Sequence, residues 1–234
     1  MRKTLVATVV ALCAVVLPAS AAMAKNPHSP AASGYTLFGD ATLVHPGNAS
    51  PTAAEATSNG PNAYGGVDFA FPAGLTVSGL SNLATDYQFV VGTCGLGSPR
   101  FVATVTNGTV TGNINFYIGP PPSYAGCPPG VYTNTGNLAA PANLVDDSQL
   151  PGGTFYDTYS DAQAMYGSYT VTDIFLVVDG SNQTVDFDNS QVNDQLFTYE
   201  SANSCKDGGY ASFTSSPGPF KNQGQCMQYF NNGK

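Results

Sequence analysis

The stretch "SYTVTDIFLVVDGSNQTVDFDNSQVN", residues 168–193, decides the fold class. Its first half holds the near-continuous apolar run Ile174 to Val178, the pattern of a strand covered on both faces in the middle of a sheet. Its second half alternates, with Val185 and Phe187 on one side and Thr184, Asp186 and Asp188 on the other. Gly180, Ser181 and Asn182 supply turn chemistry between them, so the two halves are expected to pair as neighbours.

Working outward, short β-like runs follow one another at close spacing. They are "YTLFGDATLV" (35–44), "VDFAF" (67–71), "LTVSGL" (75–80), "DYQFVVG" (86–92), "RFVATVT" (100–106) and "NINFYIG" (113–119). Each is rich in β-branched or aromatic residues and ends in a Gly, Asn or Pro turn signal, as in sandwiches and barrels. The segment 45–66 reads as a long polar connection, and "GPPPSYAGCPPG" (119–130) as a stiff loop, because proline removes ladder donors. One upstream helix is expected across "SDAQAMY" (160–166), capped by Ser160 and ended by Gly167. The expected fold is an all-β, jelly-roll-like β-sandwich over residues 35–200, followed by a disulfide-stapled C-terminal segment, 201–234.

Residues 1–24 read as a secretory signal: Arg2 and Lys3, an apolar stretch from Leu5 to Leu17 that includes Cys13, and "AMA" before Lys25. Residues 25–34 read as a flexible lead-in. With the signal removed, five basic residues face 15 acidic ones, a net charge of −10. Such a chain has no electrostatic grip on nucleic acid or an anionic bilayer, and no later apolar run suits membrane insertion. The expected location is secreted or extracellular.

Four cysteines remain after cleavage: Cys94, Cys127, Cys205 and Cys226. In an oxidising compartment an even set implies two disulfides, for which three pairings exist. Pairing of neighbours, Cys94 with Cys127 and Cys205 with Cys226, is preferred, since the glycines beside Cys94 and Cys127 let two loops approach closely. In the tail, Phe220, Met227 and Phe230 are expected on the apolar side of a short helix ended by Gly233, with Asn222 and Gln223 bonding nearby backbone.

Catalysis finds little support. The two histidines, His28 and His45, lie in the lead-in and at the head of a Pro/Gly-rich loop, which leaves a Ser-His-Asp machine without a placed base. Paired carboxylates for glycoside hydrolysis have no nominating spacing. Asp186 and Asp188, about 7 Å apart on one strand face, form a candidate calcium site with Asp40 as third ligand, against the competing reading of a solvated strand face. Tryptophan is absent, so Tyr124, Tyr156 and Tyr159 are the candidate platforms for a carbohydrate. Arg100, the sole arginine after the signal, is assigned a bracing role against an aspartate or loop carbonyls.

The motifs "CGLGSPRF", "INFYIGP", "GGTFY", "CKDGGY" and "FKNQGQC" resemble a group of exported bacterial β-sandwich proteins to which no reaction is attached. The tail resembles a short C-terminal segment carried by otherwise different exported proteins. "FGDATLV" (38–44) and "VDFDNSQVN" (185–193) are similar to the first and last strands of jelly-roll carbohydrate-binding modules, without the tryptophans such modules commonly use. Together these readings point to a secreted, non-catalytic module that binds polysaccharide. The alternatives are a structural or cell-envelope interaction protein and a carboxylate-based hydrolase.

Overall fold

A computed structural model describes residues 34–214 and 218–232. The signal, the lead-in up to residue 33 and Gly233 lie outside the described residues. Thirteen strands and two α-helices are formed among those described. Every strand ladder is antiparallel. No helix among them is long and apolar enough to cross a membrane.

Two sheets make the sandwich. The seven-stranded sheet runs β1 (Tyr35–Gly39), β4 (Gly65–Phe69), β11 (Thr170–Val178), β6 (Arg100–Thr106), β7 (Thr111–Tyr117), β9 (Leu144–Asp146), β10 (Phe155–Thr158). The six-stranded sheet runs β2 (Ala41–Val44), β3 (Ala53–Ser58), β12 (Gln183–Val192), β5 (Leu83–Val91), β8 (Thr133–Asn134), with β13 (Gln195–Phe197) also paired to β12. Phe101, Ala103 and Val105 from one sheet meet Val185, Phe187, Leu83 and Phe89 from the other in one buried cluster. Residues on the inward side of each pleated strand supply that inner face.

The opening stretch folds differently from its expected hairpin. β11 is indeed central, bonded to β4 and β6, but β12 lies in the opposite sheet between β3 and β5. Each strand is saturated by two other partners, so the turn through Asn182 (φ 57°) carries the chain across the core. Gln183 ties the crossing down: its Oε1 accepts from Ser98 Oγ at 2.6 Å and its Nε2 donates to the Thr93 carbonyl at 2.8 Å.

Three further expectations are corrected. The run 35–44 breaks at Asp40 into β1 and β2, one in each sheet. Segment 45–66 contains β3, whose alanines carry weak strand preference but fit between β2 and β12. Residues 75–80 make a single bridge at Thr76 and then a short 3-10 turn, Val77–Gly79, instead of a strand. Glycine matters most at Gly66, where a Cβ would stand 2.2 Å from the Leu176 carbonyl oxygen.

Helix α1 (Tyr159–Tyr166) starts one residue early, because Thr158 rather than Ser160 caps it by accepting from Asp161 N. Its Tyr159 is buried in the core, and the hydroxyl shares its proton with the Val77 and Leu80 carbonyls at 2.9 and 2.8 Å.

Both disulfides join neighbours, Cys94 to Cys127 and Cys205 to Cys226. The first lies in the sandwich core. The second anchors a separate buried cluster of Cys205, Phe213 and Cys226, flanked by Tyr210, Phe220, Met227 and Phe230. Helix α2 (Gln223–Asn232) begins after Asn222, whose Oδ1 accepts from Gln225 N at 2.9 Å. This unit meets the sandwich through polar contacts on the 45–52 loop: Thr52 Oγ1 to Ser204 Oγ at 3.3 Å and Thr214 N to the Ala49 carbonyl at 3.3 Å. Replacing Cys205 and Cys226 together by serine should therefore cost the tail about 3 kcal/mol of chain-entropy stabilisation. Hydrogen exchange should show lost protection from residue 201 onward, with the sandwich unfolding transition shifted little.

Candidate functional site

The outer face of the six-stranded sheet is acidic. Asp186 on β12 sits opposite Glu55 on β3 and Gln88 on β5, while Asp188 sits opposite Asp86. Burial, then the charge of Glu55 and a hydrogen bond with it, push the Asp186 carboxyl up to about 6. Asp188 is 0% exposed, which corrects its reading as a solvated strand-face position. Its Oδ2 accepts from Asn48 N at 2.7 Å and Ser50 Oγ at 2.6 Å, and its Oδ1 from Asn189 N at 2.7 Å. The loop 45–52 has folded over it, and burial pushes it up to about 7, with Glu200 adding to the shift and the three hydrogen bonds opposing it.

Asp86 is held by the side-chain amides of Asn48, Asn134 and Asn189 at 2.6 to 2.9 Å. Asp40 is exposed in the turn between β1 and β2, where its backbone bonds Tyr64 and Thr57. Among the described residues no group of three or more His, Cys, Asp or Glu is arranged to hold a metal ion, so Asp40, Asp186 and Asp188 are not assembled as a ligand set.

The aromatic candidates separate by burial. Tyr159 belongs to the core and is unreachable by a ligand, correcting its assignment as a platform. Tyr124 and Tyr156 come together at the β10 edge of the seven-stranded sheet. Tyr156 is 46% exposed and stacks on Tyr124, centroids 5.9 Å apart and planes 15° apart. Beneath them, Tyr124 packs on Tyr117 at 5.4 Å, and beside them Phe155 is 64% exposed. Offset aromatic contacts of this kind each add about 0.5–1.5 kcal/mol beyond area burial, which stiffens the stack.

Local backbone explains why the rings stand out. A register shift between Phe155 and Asp157 bulges β10, and Tyr156 takes φ 71°. The bulge turns Phe155 and Tyr156 outward together. Tyr117 anchors the base of the stack by donating to Asp146 Oδ2 at 2.5 Å. Asp146 Oδ1 in turn accepts from Ser148 N and Oγ at 3.0 and 2.6 Å.

Sequence reasoning missed Asp147, which with Asp157 flanks the Pro151-Gly152-Gly153 turn leading into the platform. One N–H, that of Thr154, donates to Asp147 Oδ1 at 2.8 Å and to Asp157 Oδ2 at 3.1 Å. Burial, the strongest influence, and then Asp157 raise Asp147 to about 6, against the Thr154 hydrogen bond. Two aspartates either side of a Pro-Gly-Gly turn were the available signal.

Arg100 grips Asp179 with both ends of its fork at 2.7 Å, and also reaches the Gly97 carbonyl at 3.0 Å and Asn115 Oδ1 at 3.2 Å. It braces the 94–100 loop against the end of β11.

No family model and no curated protein sequence matches the chain. Among solved structures, the family 11 carbohydrate-binding module of the cellulosomal cellulase Lic26A-Cel5E of Clostridium thermocellum is similar at 13% identity and TM-score 0.40, over 71% of this chain and 86% of that one. An exo-beta-agarase structure is similar at 14% identity and TM-score 0.33, over 74% of this chain and 24% of that one.

Proposed function

We propose that the chain is an exported, non-catalytic module that binds carbohydrate through Phe155 and Tyr156, with residues 35–200 as the binding domain and 201–234 as its stapled cap. The observation that carries this is the exposed Phe155–Tyr156 pair, held outward by a bulge and backed by Tyr124 and Tyr117. Rigid rings with an apolar face and a hydroxyl at the rim suit the C–H faces and hydroxyls of a sugar.

Chemistry elsewhere supports the non-catalytic part. Asp186 pairs in register with Glu55, and burial followed by the Glu55 charge holds its carboxyl up at about 6. Asp86 is committed to three amides. The two disulfides suit an oxidising, extracellular setting.

A glycan array spanning plant, fungal and bacterial polysaccharides tests the reading. Tyr156→Ala should weaken retention about tenfold, which is about 1.4 kcal/mol, with the melting temperature nearly unchanged because the ring is half exposed. Silence across the array would favour a cell-envelope structural role instead.

A further inference from the structure

Residues 35–200 contain 14 acidic residues and one basic residue, Arg100, which Asp179 already occupies. Four of those acids, Asp146, Asp147, Asp157 and Asp161, fall within sixteen residues with no lysine or arginine among them, and Arg100, which reaches Asn115 next to Asp146, is committed to Asp179. Asp146 and Asp161 are answered by hydroxyl and N–H donors: Tyr117 and Ser148 for the first, Thr158 for the second. Asp157 Oδ1 takes the Thr154 hydroxyl at 2.9 Å, and its Oδ2 shares the Thr154 N–H with Asp147.

Asp147 is the unbalanced member. It is 0% exposed, and its Oδ2 is buried with no hydrogen-bond partner. Its carboxyl shares the Thr154 N–H with that of Asp157, and the nearby Tyr166 hydroxyl is committed to the Pro151 carbonyl at 3.1 Å. Gly153 seals the pair from behind, since a Cβ there would stand 2.5 Å from Asp147 Oδ1. Ionising Asp147, buried beside a second carboxyl with one oxygen unpartnered, is costly without a counter-charge. Nothing in the neighbouring chain supplies one, and Asp157, two residues from Phe155, is the member with access to solvent.

We propose that the platform selects amino sugars bearing free ammonium groups, with Phe155 and Tyr156 taking the sugar face and Asp157 taking the ammonium. This rests on the carbohydrate-binding reading and names its ligand class. The ammonium supplies the missing counter-charge of the Asp147–Asp157 pair, and its approach to the rings adds a cation–π attraction. An N-acetylated or uncharged sugar would stack on the same rings without that gain, and an acidic sugar would be repelled.

The experiment is titration calorimetry at pH 6 with three probes of equal length: a glucosamine trimer, its N-acetylated counterpart and a cellulose trimer, all at about 0.15 M salt to screen long-range attraction. The glucosamine trimer is expected to bind at least tenfold tighter than the other two. Both Asp157→Asn and Tyr156→Ala should remove that preference. Asp68→Asn controls for bulk charge: it lies on β4, five strand spacings or roughly 24 Å from β10 across the same sheet, and should change affinity less than twofold. Asp68→Asn weakening binding as much as Asp157→Asn would overturn the proposal in favour of non-specific attraction. Equal affinity for all three probes, with loss on Tyr156→Ala, would overturn the selectivity and leave the platform standing. Binding of none of them, together with silence on the array, would overturn both.

Discussion

Tyr159→Ala is expected to lower the stability of the sandwich by about 3–5 kcal/mol, the usual result of emptying a large buried aromatic site. For a chain of this length that corresponds to a fall in melting temperature of about 10 °C. The ring is fully buried and packs edge-on against Phe116 at 5.2 Å, so its removal leaves a cavity between α1 and β7. Its hydroxyl also caps the Val77 and Leu80 carbonyls, which would be left without that donor at the 3-10 turn. Tyr159→Phe keeps the packing and should cost only about 1–2 kcal/mol. Neither change should alter glycan affinity once the protein is folded, whereas Tyr156→Ala should do the reverse. Thermal melts and calorimetry on the same three variants separate core from platform. A Tyr159→Phe protein of native stability with lost binding would return that residue to the ligand site.

Why the sequence placed Tyr159 beside Tyr156 as an equal candidate is plain from the local pattern. Both are tyrosines in "TFYDTYSD", and nothing in composition separates a ring inside the first turn of a helix from one aimed outward by a bulge. Strand identity was more legible, because β6 and β12 show apolar–polar alternation and β11 a near-continuous apolar run, patterns that can be read off directly. Strand partnership was not legible. Residues 168–193 look like a hairpin, yet pairing is decided by which strands saturate each edge, and that information is spread from β3 to β6. The same holds for the acidic sites. Glu55 and Asp186 are 131 positions apart in sequence and meet only because β3 and β12 are in register. β3 itself was hidden because "AAEATS" has little strand preference, and its burial is imposed by neighbours. The cysteines were the opposite case: both bonds are local, so chain proximity and loop glycines were enough to favour the pairing that forms.

The protein is expected to melt at a higher temperature at pH 5 than at pH 8, by about 6–12 °C. Asp188 supplies most of the effect. Its carboxyl has no exposed surface and is pushed up to about 7 from 3.8 by burial first, with Glu200 adding to the shift. In the unfolded chain it ionises near the ordinary aspartate value. Between about pH 4 and pH 7 the folded state therefore binds a proton that the unfolded state has released, and the free energy of unfolding falls as pH rises. About two pH units of that window lie between pH 5 and pH 7, worth roughly 3 kcal/mol at about 1.4 kcal/mol per unit, and a chain of this size gains about 2–4 °C per kcal/mol. Asp186 and Asp147, each raised to about 6, act in the same direction over the lower part of the window. Glu200 is shifted upward too, again mainly by burial. Most acidic proteins that depend on paired carboxylates lose stability on acidification, so the slope here is of opposite sign because these carboxyls are buried beside other acids rather than beside cations. Calorimetric melts from pH 4.5 to pH 8 measure it. Asp188→Asn should flatten the limb between pH 5 and pH 7 while leaving the smaller slope due to Asp186 and Asp147, and a melting temperature that climbs with pH across this range would show that the loop 45–52 does not bury Asp188 in solution.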